Sequence, residues 1–212
     1  MHCLPKVILY SMRIYFFILV FLLTLPVVTF AKTKAPRKNE VKDPRDGQVY
    51  RTVVISGKTW IADNLNFKDE GSFCYKDDED NCAIYGRLYT WDAAQGACPA
   101  GFRLPTHADY DSLWISAGGQ YDAGYYLKTD YGWAGDANGN DTLKFSAMPA
   151  GNRFEDGTYG NVGKFAFFWT KDDQLEGIGE GKARTWFLTS KTVDFSYTSK
   201  PKDFGFSVRC VK

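Results

Sequence analysis

Four cysteines constrain the fold of this chain more than any other feature: Cys74, Cys82, Cys98 and Cys210. In an exported protein an even number of cysteines indicates disulfide bonds, and four cysteines allow three pairings. Cys74 and Cys82 enclose a short segment rich in turn-forming residues, so the simplest pairing is a local bridge, which leaves Cys98 with Cys210. Structural zinc is the alternative, but the sequence has no CxxC spacing and only two histidines.

Export is predicted from the first 31 residues. Residues 14–30 are almost wholly apolar, Arg13 precedes them, and residues 29–31 (TFA) have the small side chains that signal peptidase requires at positions −3 and −1. The sequence therefore predicts a signal peptide over 1–31 and a mature protein that is secreted or held at the cell surface. The alternative is an uncleaved membrane anchor, for which the apolar run is short and contains Pro26.

The mature chain divides into two parts by composition. Residues 32–45 carry six basic residues, two acids and two prolines, which predicts a flexible basic linker before a domain spanning 46–212. Removing the first 31 residues takes away Lys6 and Arg13, so 24 basic and 25 acidic residues remain. A nearly neutral chain has no electrostatic footprint for nucleic acid, and no such partner is expected.

The pattern of apolar residues predicts an α+β domain. A β-branched run over 49–55, a Ser-Gly-Lys turn and a second run over 59–62 predict a hairpin. One helix is predicted over 88–97 and another over 107–117, the second with Thr106 as N-cap and Asp109 three residues later. Further strands are predicted at 165–170, 183–189 and 206–211.

Six segments, in order along the chain, resemble the Fibrobacter succinogenes major paralogous domain. They are 46–53 (DGQVYRTV), 60–65 (WIADNL), 85–91 (YGRLYTW), 145–151 (FSAMPAG), 168–170 (FWT) and 207–212 (SVRCVK). A further segment, 101–110 (GFRLPTHADY), is similar to this family and to the formylglycine-generating enzymes. The resemblance covers essentially all of 46–212.

A looser resemblance concerns the fold. Residues 91–98 (WDAAQGAC) are similar to the first helix of C-type-lectin-like domains, in which the helix cysteine pairs with one in the last strand. That agrees with the pairing of Cys98 and Cys210. The resemblance implies a C-type-lectin-like domain, with two helices packed on a small, mainly antiparallel sheet and long irregular loops.

Catalysis is not expected from these residues. Formylglycine-generating enzymes use a pair of cysteines near the C-terminus, and here only Cys210 matches, already assigned to a disulfide. Related iron enzymes use several histidines, whereas the mature chain has His107 alone. A non-catalytic binding or surface-interaction module, with a carbohydrate or protein as its extracellular ligand, is therefore predicted. The alternatives are an enzyme of the formylglycine-generating type, a hydrolase, and a structural surface protein without a ligand.

Two candidate sites lie in the glycine-rich second half of the chain. Oxygen-bearing side chains stand at positions 1, 3, 5 and 6 of the segment starting at residue 136, as at the start of a calcium loop. Position 6 is not the expected glycine, so a solvated turn is the alternative. The candidate calcium ligands are Asp136, Asn138, Asn140 and Asp141. The aromatic residues placed in glycine-rich loops are the candidates for ligand binding: Tyr131, Trp133 and Tyr159.

Overall fold

The computed structural model describes residues 37–174 and 176–212, so the predicted signal peptide lies outside the described residues. These residues form an α+β domain. Its helices are α1 (Glu79–Tyr85), α2 (Trp91–Ala97), α3 (His107–Ser116) and α4 (Ala123–Leu127), with 3₁₀ turns at Tyr75–Asp77 and Gly119–Tyr121. Its strands are β1 (Glu40–Lys42), β2 (Val49–Ile55), β3 (Lys58–Ile61), β4 (Ser72–Phe73), β5 (Leu88–Tyr89), β6 (Asn152–Arg153), β7 (Tyr159–Gly160), β8 (Phe165–Trp169), β9 (Lys182–Thr189), β10 (Phe195–Pro201) and β11 (Phe206–Ser207).

The strands form three sheets. The largest has the order β10-β9-β8-β11-β5-β4, and all its pairings are antiparallel except that of β11 with β8. The predicted hairpin is confirmed as β2 and β3, which pair antiparallel with Val53 opposite Trp60 and with β1 on the outer side of β2. Strands β6 and β7 form a separate two-stranded sheet.

The linker prediction needs a correction where the structure describes it. Strand β1 lies within the segment predicted as a flexible linker, and Asp43 directly after it is fully buried. The Arg45 guanidinium holds the pKa of the Asp43 carboxyl below its usual range and donates to the carbonyl of Ala97 in α2. The folded domain therefore begins before residue 40, because Asp43 and Arg45, two of the charged residues that suggested a linker, pair with each other and Arg45 also binds the domain.

Helix ends agree with their capping residues. Thr106 and Asp109 form the predicted capping box at the start of α3, and Asp109 also binds Arg103 at 2.6 Å and Lys58 at 2.7 Å. The buried Asp109 carboxylate thus ties the β2–β3 turn to α3. The predicted helix over 88–97 begins only at Trp91, because Thr90 is its N-cap and the two preceding residues pair in β5.

Most of the largest fully buried side chains are aromatic. Trp60, Tyr110 and Phe168 pack together in one cluster, while Trp169 and Phe206 belong to a second cluster across the large sheet. Both predicted disulfides are present, joining Cys74 to Cys82 and Cys98 to Cys210. Among the described residues, none of the helices is both long enough and apolar enough to span a membrane.

Candidate binding cleft

A cleft of about 210 Å³ opens between three parts of the chain that are distant in sequence. The β2–β3 hairpin supplies one wall, the C-terminal half of α1 supplies a second, and the loop 128–151 supplies the third. We call it the Tyr131 cleft, after the most exposed aromatic residue that lines it.

The rim of the Tyr131 cleft is apolar and aromatic. The side chain of Tyr131 is 60% exposed, and Ile84 and Val49 are exposed to a similar extent on the facing walls. Tyr85 and Met148 are half-buried beside them. Exposed apolar side chains that converge on one concavity are typical of a surface that a ligand covers.

An ion pair and several amides provide the polar part of the cleft. Arg51 binds Asp63 through its backbone N–H at 2.7 Å, its Nε at 2.9 Å and its Nη2 at 2.6 Å. Asn64 donates its side-chain amide to the carbonyl of Tyr85 at 2.8 Å. The amide oxygen of Asn66 is buried and has no hydrogen-bond partner among the described residues.

Beneath the cleft lies a fully buried arginine, Arg209. Its guanidinium donates to the side-chain oxygen of Asn64 at 2.8 Å and to the carbonyls of Phe145 at 2.6 Å and Ser146 at 2.8 Å. Burial lowers the pKa of Arg209 to about 10, so the group is still charged at neutral pH. Because Asn64 and Ser146 also line the cleft, Arg209 fixes two walls of the cleft from below.

A glycine lets the walls come close together. Gly86 ends α1 with φ 74°, a conformation that L side chains rarely adopt. A Cβ atom there would lie 2.8 Å from the carbonyl oxygen of Asn64. Glycine at this position therefore allows the end of α1 to lie directly against the segment after β3, which carries Asp63 and Asn64.

Of the three aromatic residues predicted to bind a ligand, only Tyr131 lines the cleft. Trp133, a candidate for ligand binding, is instead buried: it is 5% exposed, and its indole N–H donates to the carbonyl of Ala147. Tyr159 is half-buried on strand β7, packs on Tyr75 and donates its hydroxyl to Asp77. Glycine-rich flanks did not distinguish these environments, because tertiary packing decides which loop aromatic is buried.

The four predicted calcium ligands lie in one loop, and three of them accept hydrogen bonds from the chain. Asn138 accepts from the backbone N–H of Trp133, and Asn140 accepts from that of Thr142. Asp141 accepts from both the N–H and the hydroxyl of Ser146, at 2.7 Å each. Asp136 lines a different, wider cleft together with Asn138. These contacts are those of a turn stabilised by Asx side chains.

His107 and the cysteines have structural contacts of their own. The imidazole Nδ1 of His107 accepts from the indole of Trp186 at 2.9 Å, and burial lowers the pKa of His107. The sulfur atoms of Cys74 and Cys82 lie close to the Glu79 carboxylate, but they are bonded to each other. A disulfide sulfur lacks the negative charge of a thiolate ligand, so this cluster is not a zinc site.

The residues that sequence reasoning missed are those whose roles depend on distant contacts. Arg51 was visible only as a charged residue within the predicted strand 49–55, and Asp63 and Asn66 only as polar residues after the predicted hairpin. The signal that could have selected them is their place in the matched segments 46–53 and 60–65, next to the buried Trp60. Nothing in the sequence indicated that residues 82–86 would face them.

The comparison with known families agrees with the expectation from the six segments. Residues 53–212, 160 of the 212 residues of the chain, match the model of a family described as the Fibrobacter succinogenes major domain. The matched region contains all four disulfide cysteines and most of the Tyr131 cleft. No curated protein matches the chain.

Proposed function

We propose that this chain, which belongs to the Fibrobacter succinogenes major domain family, is an exported non-catalytic module that binds carbohydrate in the Tyr131 cleft. The observation that carries the proposal is the composition of that cleft. An exposed tyrosine ring faces amide, carboxylate and guanidinium groups across a concave surface. Sugars offer apolar C–H faces to a ring and many hydroxyls to such planar polar groups.

The polar groups are arranged to hold a ligand in one orientation. Asp63 is fixed by three hydrogen bonds from Arg51, so a ligand hydroxyl would meet a carboxylate that is already oriented. Preorganised groups lower the entropic cost of binding, which supports recognition through few contacts.

The test is a glycan array probed with the mature domain, residues 32–212, followed by titration of the retained glycan. Tyr131→Ala should weaken binding about tenfold or more, since it removes the exposed ring. Tyr121→Ala is the matched control, because Tyr121 is even more exposed (75%) and lies outside the cleft. If no glycan binds but a protein ligand does, or if Tyr121→Ala alone weakens binding, the proposal is wrong.

We also propose that the finer fold is C-type-lectin-like. Supporting it, Cys98 follows α2 directly and pairs with Cys210 near the end of the chain. The terminal segment returns to the start of the domain, with Val211 opposite Trp60 of β3. Superposition of an experimental structure on lectin-like domains would test this, and a different helix and strand order would refute it.

Export is the remaining part of the proposal. It rests on the apolar run over 14–30 and the small residues at 29 and 31. N-terminal sequencing of protein recovered outside the cell should begin at Lys32 or within a few residues of it. Recovery of mature protein that retains the apolar run would contradict cleavage and indicate a membrane anchor.

A further inference from the structure

We infer that a basic groove next to the Tyr131 cleft binds an acidic polysaccharide, so that the ligand of this module carries carboxylate or sulfate groups. The groove has a volume of about 990 Å³ and runs along the outer face of β1 and β2. The inference rests on the proposed function for the class of ligand, and it adds the charge of that ligand and a second surface that holds it.

The groove concentrates positive charge in a chain that is nearly neutral overall. Five cationic side chains line it, and one acidic side chain, Glu40. The five are Arg37, Lys38, Arg51, Lys144 and Lys212. Since the whole chain has 26 basic and 25 acidic residues, this is a local excess rather than a consequence of composition.

Four of these cations lack an acidic partner. Among the described residues, no carboxylate lies within ion-pair distance of the side-chain nitrogens of Arg37, Lys38, Lys144 or Lys212. The Glu40 carboxylate accepts from the backbone N–H of Arg37 at 3.0 Å, and Arg51 is paired with Asp63. Residues 1–36 contain neither aspartate nor glutamate, so they supply no carboxylate side chain either. An anionic polymer would relieve the mutual repulsion of these charges.

The shape and lining of the groove favour a polysaccharide over nucleic acid. Its one aromatic side chain, Phe102, is half-buried and has the ammonium of Lys212 4.8 Å from the ring centroid. It therefore lacks the exposed rings on which bases stack. The floor consists instead of small β-strand side chains, among them Thr52 and the 68% exposed Val54. A concave groove also fits the shape of a polymer chain better than it fits the flat surface of a bilayer.

The groove and the cleft adjoin. Arg51 and Ala62 line both, so the groove and the Tyr131 cleft meet at these residues. Arg51 already binds Asp63 on the cleft side, which leaves the lysines to meet the charges of the polymer. One continuous ligand can thus use the cleft for a sugar ring and the groove for its acidic neighbours.

The experiment measures binding of the mature domain to polygalacturonate, with fully methyl-esterified polygalacturonate as a ligand that has the same backbone without the charge. The native domain should bind the acidic polymer at least about tenfold more tightly, and the difference should shrink as salt is raised. Lys38→Glu combined with Lys144→Glu should remove most of this preference, because both side chains are exposed and line the groove.

The matched control is Lys171→Glu combined with Lys182→Glu. Both lysines are exposed, lie outside the groove and the cleft, and change the net charge by the same amount. Equal losses in the two double variants, no preference for the acidic polymer, or tighter binding of a single-stranded oligonucleotide would overturn the inference. If Tyr131→Ala binds polygalacturonate as the native domain does while Lys38→Glu with Lys144→Glu does not, the groove binds the polymer and the proposed role of the Tyr131 cleft is wrong.

Discussion

The two irregular segments that flank the Tyr131 cleft are held in place by different means. Segment 62–90 contains the short disulfide between Cys74 and Cys82, and the helix α1 that faces the cleft begins inside that loop. Segment 128–151 contains no cysteine, so no disulfide holds it. Its residues 145–147 and 149–151 are nevertheless buried. A covalent bond thus stabilises one wall of the cleft, and buried polar contacts stabilise the other.

In segment 128–151 two buried cations, Arg209 and Lys128, take the place of the disulfide, and within the part of the chain that the structure describes neither forms an ion pair. Arg209 donates to two carbonyls of the segment, at Phe145 and Ser146. Lys128 is 2% exposed, donates to the carbonyl of Thr192 at 2.9 Å and lies 4.8 Å from the ring centroid of Trp133. Hydrogen bonds from charged donors are stronger than neutral ones, so a few of them can order an irregular backbone.

Arg209→Met gives the sharpest test of this difference. The substitution keeps an unbranched side chain but leaves three buried oxygens without a hydrogen-bond donor. The free-energy cost of these unpaired oxygens exceeds the gain from removing a buried charge. We expect the free energy of unfolding, measured by urea denaturation, to fall by about 3 kcal/mol. Arg51→Met is the control, because Arg51 is exposed on the same cleft. Equal effects of the two variants would mean that buried contacts do not hold this segment.

Removing the short disulfide should have a smaller and more local effect. The bridge closes a loop with a sequence separation of 8, for which chain entropy gives about 2.5 kcal/mol. In the double variant Cys74→Ser with Cys82→Ser, we expect faster amide hydrogen exchange in α1 and an unchanged rate in α3. A uniform increase across both helices would show that the bridge stabilises the whole domain, contrary to the comparison.

The features that could be predicted from the sequence are those that depend on cysteines or on local residue patterns. Cysteine spacing indicated both disulfides, and β-branched runs and the Thr106 cap indicated the hairpin and α3. These signals are local or depend on a rare residue type. Helix α4 and strand β10 were missed, because a five-residue helix and the polar strand sequence FSYTSKP carry little hydrophobic periodicity.

The candidate site was predicted less well than the fold. Tyr131 and Trp133 were selected on the same grounds as aromatic residues in glycine-rich loops, and Tyr131 is exposed whereas Trp133 is buried. Their difference comes from Lys128 and from the carbonyl of Ala147, which lie against Trp133 only after folding. No local pattern in the sequence distinguishes Arg209 from the other charged residues, because its burial follows from long-range contacts.

The stability of segment 128–151 should depend on pH through Lys128. Burial lowers the pKa of its amine from 10.5 to about 8. Between these values the unfolded chain binds more protons than the folded one, so stability rises with pH. From pH 8 to 9.5 we expect a gain of up to about 2 kcal/mol. Urea denaturation of the native domain and of Lys128→Met measures it, and the variant should lack this gain. The same slope in both proteins would contradict the assignment to Lys128.

The smallest effect is expected from the exposed ion pair that joins the cleft to the groove. Arg51 and Asp63 are 2.6 Å apart, but their side chains are 59% and 30% exposed. Water screens such pairs, and holding two side chains in one geometry costs entropy, so their coupling energy is about 0.2–1 kcal/mol. A double-mutant cycle with Arg51→Met and Asp63→Asn should give this value at low salt and less at 1 M NaCl. If the coupling energy were about 2 kcal/mol or more, the exposed Arg51 would stabilise the domain by an amount comparable to that of the buried Arg209. The distinction between buried and exposed cations around the cleft would then be wrong.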